Sequence, residues 1–436
     1  MAAIDKSIYE KIIIESADQS KTVDIAPGVV SIDYYEDIFS PTITVKLQVV
    51  NLGNAIKDED NKFQSIYNGL PLRGGERISL KVTGNTDNNP GLDFSEQENY
   101  LFVSSITNVI STTEVEGFTL NLVSREALTN ETSRVGRKYP ASLKISETAK
   151  DIIKKYLATH KETYIDPTQN PYGFIGNMRK PFTILTWLAS KSVPESSSED
   201  ATARYVFFET KKGYNFRSID DLISSDPYEN LYVFTEVVQS VPDNDFKIMK
   251  YNTNKNQNLI GNMQRGTYCS QRMFFNPCNF EYTSTKDGKF DLEKYKEKSS
   301  NLGKDITLPK VNPNSDLTLG EIPTRNVTAV LDIGTIEKGV SVDENASPAR
   351  IQSQALMRYN TILTQNISMT IPSNTNLCAG DIIRCQFPKV QMGTKKTEDS
   401  EQTGLYMIKE LCHHFDSTGS YTSLKLIKDT FGKTEK

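Results

Sequence analysis

The chain has 436 residues, 37% hydrophobic, 24% charged and 9% aromatic, a globular composition with room for about three domains. Lys and Arg total 50 against 55 Asp and Glu, a net charge of −5, which lacks the basic excess that a sequence-reading DNA binder needs. No run of 18 apolar residues is present, so no helical membrane span is expected. Near the N-terminus the apolar patch Ile12, Ile13 and Ile14 is flanked by Glu10, Lys11 and Glu15, too brief and too charged for a signal peptide. Five Cys without CxxC spacing fit free thiols in a reducing cytoplasm.

From Lys11 to Val50 the sequence reads as short strands, one at Ile32 to Tyr35 and one at Ile43 to Val50, where Ile43, Val45, Leu47 and Val49 alternate with polar residues. Period-two alternation means one buried and one wet face. Further strands are expected at Arg77 to Thr83, Tyr100 to Ile110 and Gly117 to Val123, with the polar stretch Gly84 to Glu98 as an exposed loop. Past Pro140 the pattern turns helical: Ala149, Ile152, Ile153 and Tyr156 recur at spacings of three and four, and Pro181 opens a second helix reaching Val193. A hairpin at Arg204 to Glu209 and Gly213 to Phe216 and a helical turn at Ser218 to Ser224 complete a small α/β unit over residues 141–225. The polar run from Glu195 to Thr202 within it reads as mobile. Gly303 to Ala346 has no periodicity and reads as an irregular connection. A helix follows at Pro348 to Leu363, then strands at Gln365 to Ile371, Asp381 to Phe387, Leu405 to His414 and Ser420 to Ile427.

The chain repeats itself. Residues 75–82 align with 380–387 at an offset of 305, which places Gly75 on Gly380 and Ile78 on Ile383. The same offset carries Val103 onto Ile408 and Ile106 onto Leu411; with one residue fewer in the next turn, Leu120 and Leu122 fall on Leu424 and Leu426. Ungapped spacing over two strands points to a duplicated β-domain.

Catalytic chemistry has little footing. The three His are at 160, 413 and 414, none near a G-x-S-x-G turn, and there is no Walker A or G-x-G-x-x-G pattern. Cys412, His413 and His414 are adjacent, but alternation in a strand turns His413 away from the other two, against a shared metal. Paired carboxylates for glycoside hydrolysis stay open. Arg134, Arg137, Lys138 and Lys395-Lys396 are short basic clusters without aromatic partners for base stacking. Tyr164, Tyr172 and Phe174, around Pro167 and Pro171, are either a binding face or loop packing.

The stretches Asn376 to Phe387 (NLCAGDIIRCQF), Leu405 to His414 (LYMIKELCHH) and Gly419 to Leu426 (GSYTSLKL) resemble the closing β-domain of phage tail hub proteins. The matching positions are the Gly380-Asp381 turn, Tyr406, His413 and Tyr421; Tyr421-Thr422-Ser423 departs slightly from the family's Tyr-x-Thr form. In architecture nearly the whole chain resembles the central baseplate hub subunit of contractile-tailed phages, a late-control protein D-like family related to the base of type VI secretion spikes. The resemblance implies a β-rich α+β fold: two similar antiparallel β-barrel-like tube domains, at 1–140 plus about 226–262 and at 263–436, with the α/β unit 141–225 inserted. It implies a structural, non-enzymatic role without cofactor in the virion tail baseplate, assembled in the host cytoplasm. A ring-shaped homotrimer with pseudo-sixfold symmetry would adapt a threefold central spike to the sixfold tail tube. Its partners would be the spike, the tube or tube-initiator protein, surrounding wedge proteins, and DNA passing through the lumen unread. The hub of a non-contractile tail or injection machine is the alternative within this class; an envelope-degrading enzyme and a receptor- or carbohydrate-binding tail protein are the alternatives outside it.

Overall fold

The computed structural model describes residues 3–51, 56–57, 63–70, 72–113, 115–195, 204–235, 244–255, 257–282, 288–292, 300–337, 348–389 and 397–433. Most of the polar run 195–202, the Lys395-Lys396 pair and positions 338–346 of the irregular connection lie outside these residues.

The N-terminal strands are β1 (Ile8–Glu15), β2 (Thr22–Asp24), β3 (Val29–Asp37), β4 (Thr44–Asn51), β5 (Arg77–Thr86), β6 (Asn89–Phe94), β7 (Leu101–Ser111) and β8 (Glu116–Ser124). In β4 the alternation behaves as its sequence dictates: Val45, Leu47 and Val49 are buried while Lys46 and Gln48 are exposed. Each such fully buried side chain contributes roughly 1.5–3 kcal/mol relative to exposure. The stretch expected as a loop at 84–98 is instead the tip and return arm of a hairpin, with Leu80 opposite Phe94 and Val82 opposite Leu92. Leu92 and Phe94 alternate into the core, a two-residue signal hidden among Asn, Pro, Gly and Asp. Gly91, with φ at +100°, lets this arm cross within reach of the Val82 carbonyl, where a Cβ would sit 1.9 Å away.

Residues 125–224 hold helices α1 (Arg125–Thr132), α2 (Ile145–Ile152) and α3 (Pro181–Ala189), strands β9 (Glu162–Ile165), β10 (Tyr205–Thr210) and β11 (Gly213–Ser218), and helix α4 (Ile219–Ser224). α2 continues as one wide π turn to Leu157, and α3 ends four residues before Val193. Val135, Ile152, Leu185, Leu188, Tyr205 and Phe216 belong to a core drawn from this part of the chain. Tyr172 and Phe174, weighed above as a binding face, are 6% exposed and pack on Trp187, which corrects that option; Tyr164 alone of the three stays exposed.

The remainder carries β12 (Leu231–Phe234), β13 (Lys247–Ile248), β14 (Lys250–Lys255), helix α5 (Leu259–Arg265), β15 (Cys269–Asn276), β16 (Arg325–Val330), helix α6 (Pro348–Thr361), β17 (Gln365–Pro372), β18 (Ile382–Gln386), β19 (Gly404–Asp416) and β20 (Ser420–Lys428). Within the connection 303–346, residues 325–330 thus form a strand, parallel to β15. The molecule is β-rich, and one 15-stranded sheet runs β13-β12-β18-β19-β3-β4-β8-β7-β5-β1-β2, with β20, β17 and β14 branching in turn from β19 and β6 from β5. Residues 226–262, expected in the first β-unit, form strands that pair elsewhere: β12 with β18 and β14 with β17. Their hydrogen-bonding partners are C-terminal strands, a choice that alternation cannot encode because it marks faces and not edges.

α6 is tied down by charge. Arg358, 2% exposed, donates to Asp220 of α4 and lies 3.1 Å from Asp429, which also accepts from the Leu302 backbone. Asp429→Ala leaves this guanidinium short of a buried partner and is expected to cost about 3–5 kcal/mol. A lowered thermal midpoint checks it; an unchanged midpoint would show that the ion pair holds nothing.

Candidate functional site

β19 is long enough to be paired twice along one edge. Gly404 to Met407 face β18, then Glu410 to Asp416 face Asp37 to Ser31 of β3, while β20 follows the opposite edge. This seam joins the N-terminal and C-terminal strands into one sheet.

Alternation sorts its side chains. Leu411, His413 and Phe415 are fully buried; Cys412, His414 and Asp416 lie on the other face. His413 bonds Thr422 Oγ1 through Nδ1 at 3.0 Å and stacks on Tyr34, and burial pushes its pKa down to about 3. Beside it Glu36, 1% exposed, accepts from the Tyr34 hydroxyl and from the backbone N–H groups of Lys211 and Ala379. Three donors offset part of its desolvation, yet burial still lifts its pKa to about 7. On the other face His414 sits between Asp33 and Asp416 and stacks on Tyr421 at 4.4 Å. Hydrogen bonds to the two carboxylates raise its pKa. Cys412, near Asp33, is pushed up to about 12 by burial, which favours the thiol over the thiolate. Asp33, Cys412, His414 and Tyr421 line a groove of about 780 Å³ that also takes in Lys250, Tyr251 and Glu410. Among the described residues no group of three His, Cys, Asp or Glu side chains is arranged to hold a metal ion.

The residues singled out by the internal alignment occupy matching hydrogen-bonded places. Gly75 N donates to Val103 O and Gly380 N to Ile408 O, both at 2.8 Å; the return bonds run from Val103 N to Glu76 O and from Ile408 N to Asp381 O. Both glycines are left-handed, at φ +92° and +93°. Each following acid closes the turn, Glu76 accepting from Arg73 N and Asp381 from Cys378 N. Ile78 opposes Leu101 as Ile383 opposes Tyr406. Leu122 opposes Val103, and Leu120 opposes Ile106; likewise Leu426 opposes Ile408, and Leu424 opposes Leu411. Each pair of strands carries a register shift at the same point, around Ser104 and around Lys409. The likeness extends one strand further on each side: Leu122 opposes Val45, which opposes Tyr34, and Leu426 opposes Ile367, which opposes Thr253. Five strands, β5-β7-β8-β4-β3, thus share their register with β18-β19-β20-β17-β14. One difference is a second bulge in β7 at Asn108, where φ is +54°.

Sequence reasoning named His413, Gly380, Asp381, Tyr406 and Tyr421 but missed Asp33, Tyr34 and Glu36, their partners across the seam. The available sign was Asp33 and Glu36 standing among Ile32, Tyr34 and Tyr35 in one strand.

The two histidines titrate in opposite senses. The folded pKa of His413 lies below its unfolded value, so between about 6.5 and 3 the unfolded chain binds the extra proton and stability falls with falling pH. His414 is raised; its contribution is complete below about pH 6.5 and disappears as pH climbs through its folded pKa. Melting curves across pH should show the acid-side loss flattened in His413→Asn, and a deficit in His414→Gln largest below pH 6.5. Identical profiles for both variants and the parent protein would contradict this assignment.

No protein-family model and no curated protein matches the chain in sequence. Solved structures do match in fold. The 43 kDa tail protein of prophage MuSo2 from Shewanella oneidensis is similar with a TM-score of 0.52 at 9% identity, over 97% of this chain and 100% of that one. The tail protein from Neisseria meningitidis MC58 scores 0.49 at 10% identity, over 96% of each chain. Prophage tail protein gp18 from Listeria monocytogenes EGD-e scores 0.48 at 8% identity, over 97% and 95%. Over 97% of its length the chain shares the fold of the Shewanella tail protein.

Proposed function

We propose that this protein is a structural hub of a contractile phage tail: a ring-shaped homotrimer in the baseplate that adapts a threefold spike to a sixfold tube. The observation that carries the reading is the five-strand pattern written twice in one chain with shared register, bulge and glycine turn. Two quasi-equivalent units per chain let three chains present six similar faces, which a single unit per chain cannot do. In this reading the tube domains are 1–140 and, given the partners of β12 and β14, about 226–436; residues 141–225 are an insert, supported by their own core. The fold likeness to a prophage tail protein supports a place in the virion tail. The acidic net charge suits a lumen through which DNA slides, since few phosphates would be neutralised. Spike, tube and wedge proteins are the partners this role requires, and a role made of surfaces needs no catalyst.

Light scattering of the purified chain is expected to give three times its 49.0 kDa mass, and micrographs down the ring axis six similar lobes. A single-chain mass at every concentration would remove the reading.

A further inference from the structure

The seam between β19 and β3 has a counterpart whose two edges pair with no strand among the described residues. β19 corresponds to β7 and β3 to β14, by the register described above. Inside the chain β19 covers the outer edge of β3 from Ser31 to Asp37. The outer edge of β7 beyond Val103 and the outer edge of β14 pair with no strand among the described residues: β7 meets β5 only at Leu101 and Phe102, and β14 meets β17 alone. These edges are the two ends of a single run, β14-β17-β20-β19-β3-β4-β8-β7.

We propose that the β7 edge of one copy pairs with the β14 edge of the next, repeating between chains the ladder that β19 and β3 make within one. This rests on the ring reading and names its interface. The exposure pattern argues for it. In the β19–β3 seam the His414 side chain is 15% exposed, whereas its counterpart in β7, Ile110, is 68% exposed and Val109 beside it 45%. A long edge strand carrying bare apolar side chains is a template for strand pairing, and nothing blunts this one with Lys or Pro. A head-to-tail contact between different surfaces forms a ring when its rotation closes.

The intramolecular ladder supplies the register. Leu411 opposes Glu36, Cys412 opposes Tyr35 and His414 opposes Asp33. Carried over, Ile106 opposes Lys255 and Thr107 opposes Asn254 of the neighbouring copy. The bulge at Asn108 absorbs one residue, after which Ile110 opposes Asn252 and Ser111 opposes Tyr251.

Two cysteines directly opposite in a ladder lie within disulfide range, and a slip of two residues takes them out of it. The full chain with Cys278→Ser, to remove the exposed thiol, is given Thr107→Cys with Asn254→Cys, or Thr107→Cys with Asn252→Cys as the shifted control. Mild oxidation should link the first pair into covalent two- and three-chain species on a non-reducing gel, with at least tenfold less from the control. In parallel, Ile110→Lys, at a site too exposed to disturb folding, should abolish the three-chain mass with its melting curve unchanged. A three-chain mass with equal linking of both pairs, or one that survives Ile110→Lys, overturns this interface while the ring stands. A single-chain mass for the parent protein overturns both.

Discussion

The ladder between β3 and β19 is the constraint on which the rest of the sheet depends. It pairs residues near the start of the chain with residues near its end, Ser31 with Asp416 and Asp37 with Glu410. Closing so long a loop costs entropy only logarithmically in its length, so a seven-residue ladder with a buried face offsets it. Without it the two halves would each present a bare edge where His413, Phe415, Ile32 and Tyr34 now pack. Glu36 fixes the junction further by binding the β10–β11 turn at Lys211 and the turn before β18 at Ala379. One carboxylate thereby ties β3, the β10–β11 turn and the turn before β18 to a single point.

Buried charge recurs wherever units meet. Lys161 Nζ lies 2.6 Å from Glu209 and 3.2 Å from Glu126, and Glu209 also accepts from Ile43 N and Ser124 Oγ, where β4 begins and β8 ends. Arg358 does the same between α6, α4 and the C-terminal segment. Such groups add little net stability over apolar packing, but a misdocked unit leaves a charge unpaired at a cost of several kcal/mol. They therefore select one arrangement of residues 125–224 against the sheet. Rigid relative placement is what a part that transmits symmetry from one assembly to another would need.

The same logic assigns the titratable cluster at the seam to architecture. His414, held by two carboxylates and stacked on Tyr421, has both ring nitrogens occupied, and Cys412 is held as a thiol. His413 is neutral and bonded to Thr422. Each of the three side chains that could be read as reactive is committed to holding strands together.

Much of the fold was legible because it is local. Strand faces in β4, β19 and β20 and the helices α2 and α3 follow from the spacing of apolar residues, and the repeat could be aligned because a glycine turn and two strands kept their spacing in the sequence. The hairpin arm Asn89–Phe94 was missed because only Leu92 and Phe94 carry its period. Tyr172 and Phe174 looked available as a face because a single sequence does not reveal that Trp187 covers them. What the sequence by itself determined, then, is which residues turn inward and that one β-pattern occurs twice. Which strand edges meet was decided only by the tertiary structure, as in β12 and β14 joining the C-terminal strands and β19 leaving β18 for β3. The reason is physical: side-chain pattern encodes the faces of a strand, whereas its edges are backbone N–H and C=O groups that every residue but proline presents alike.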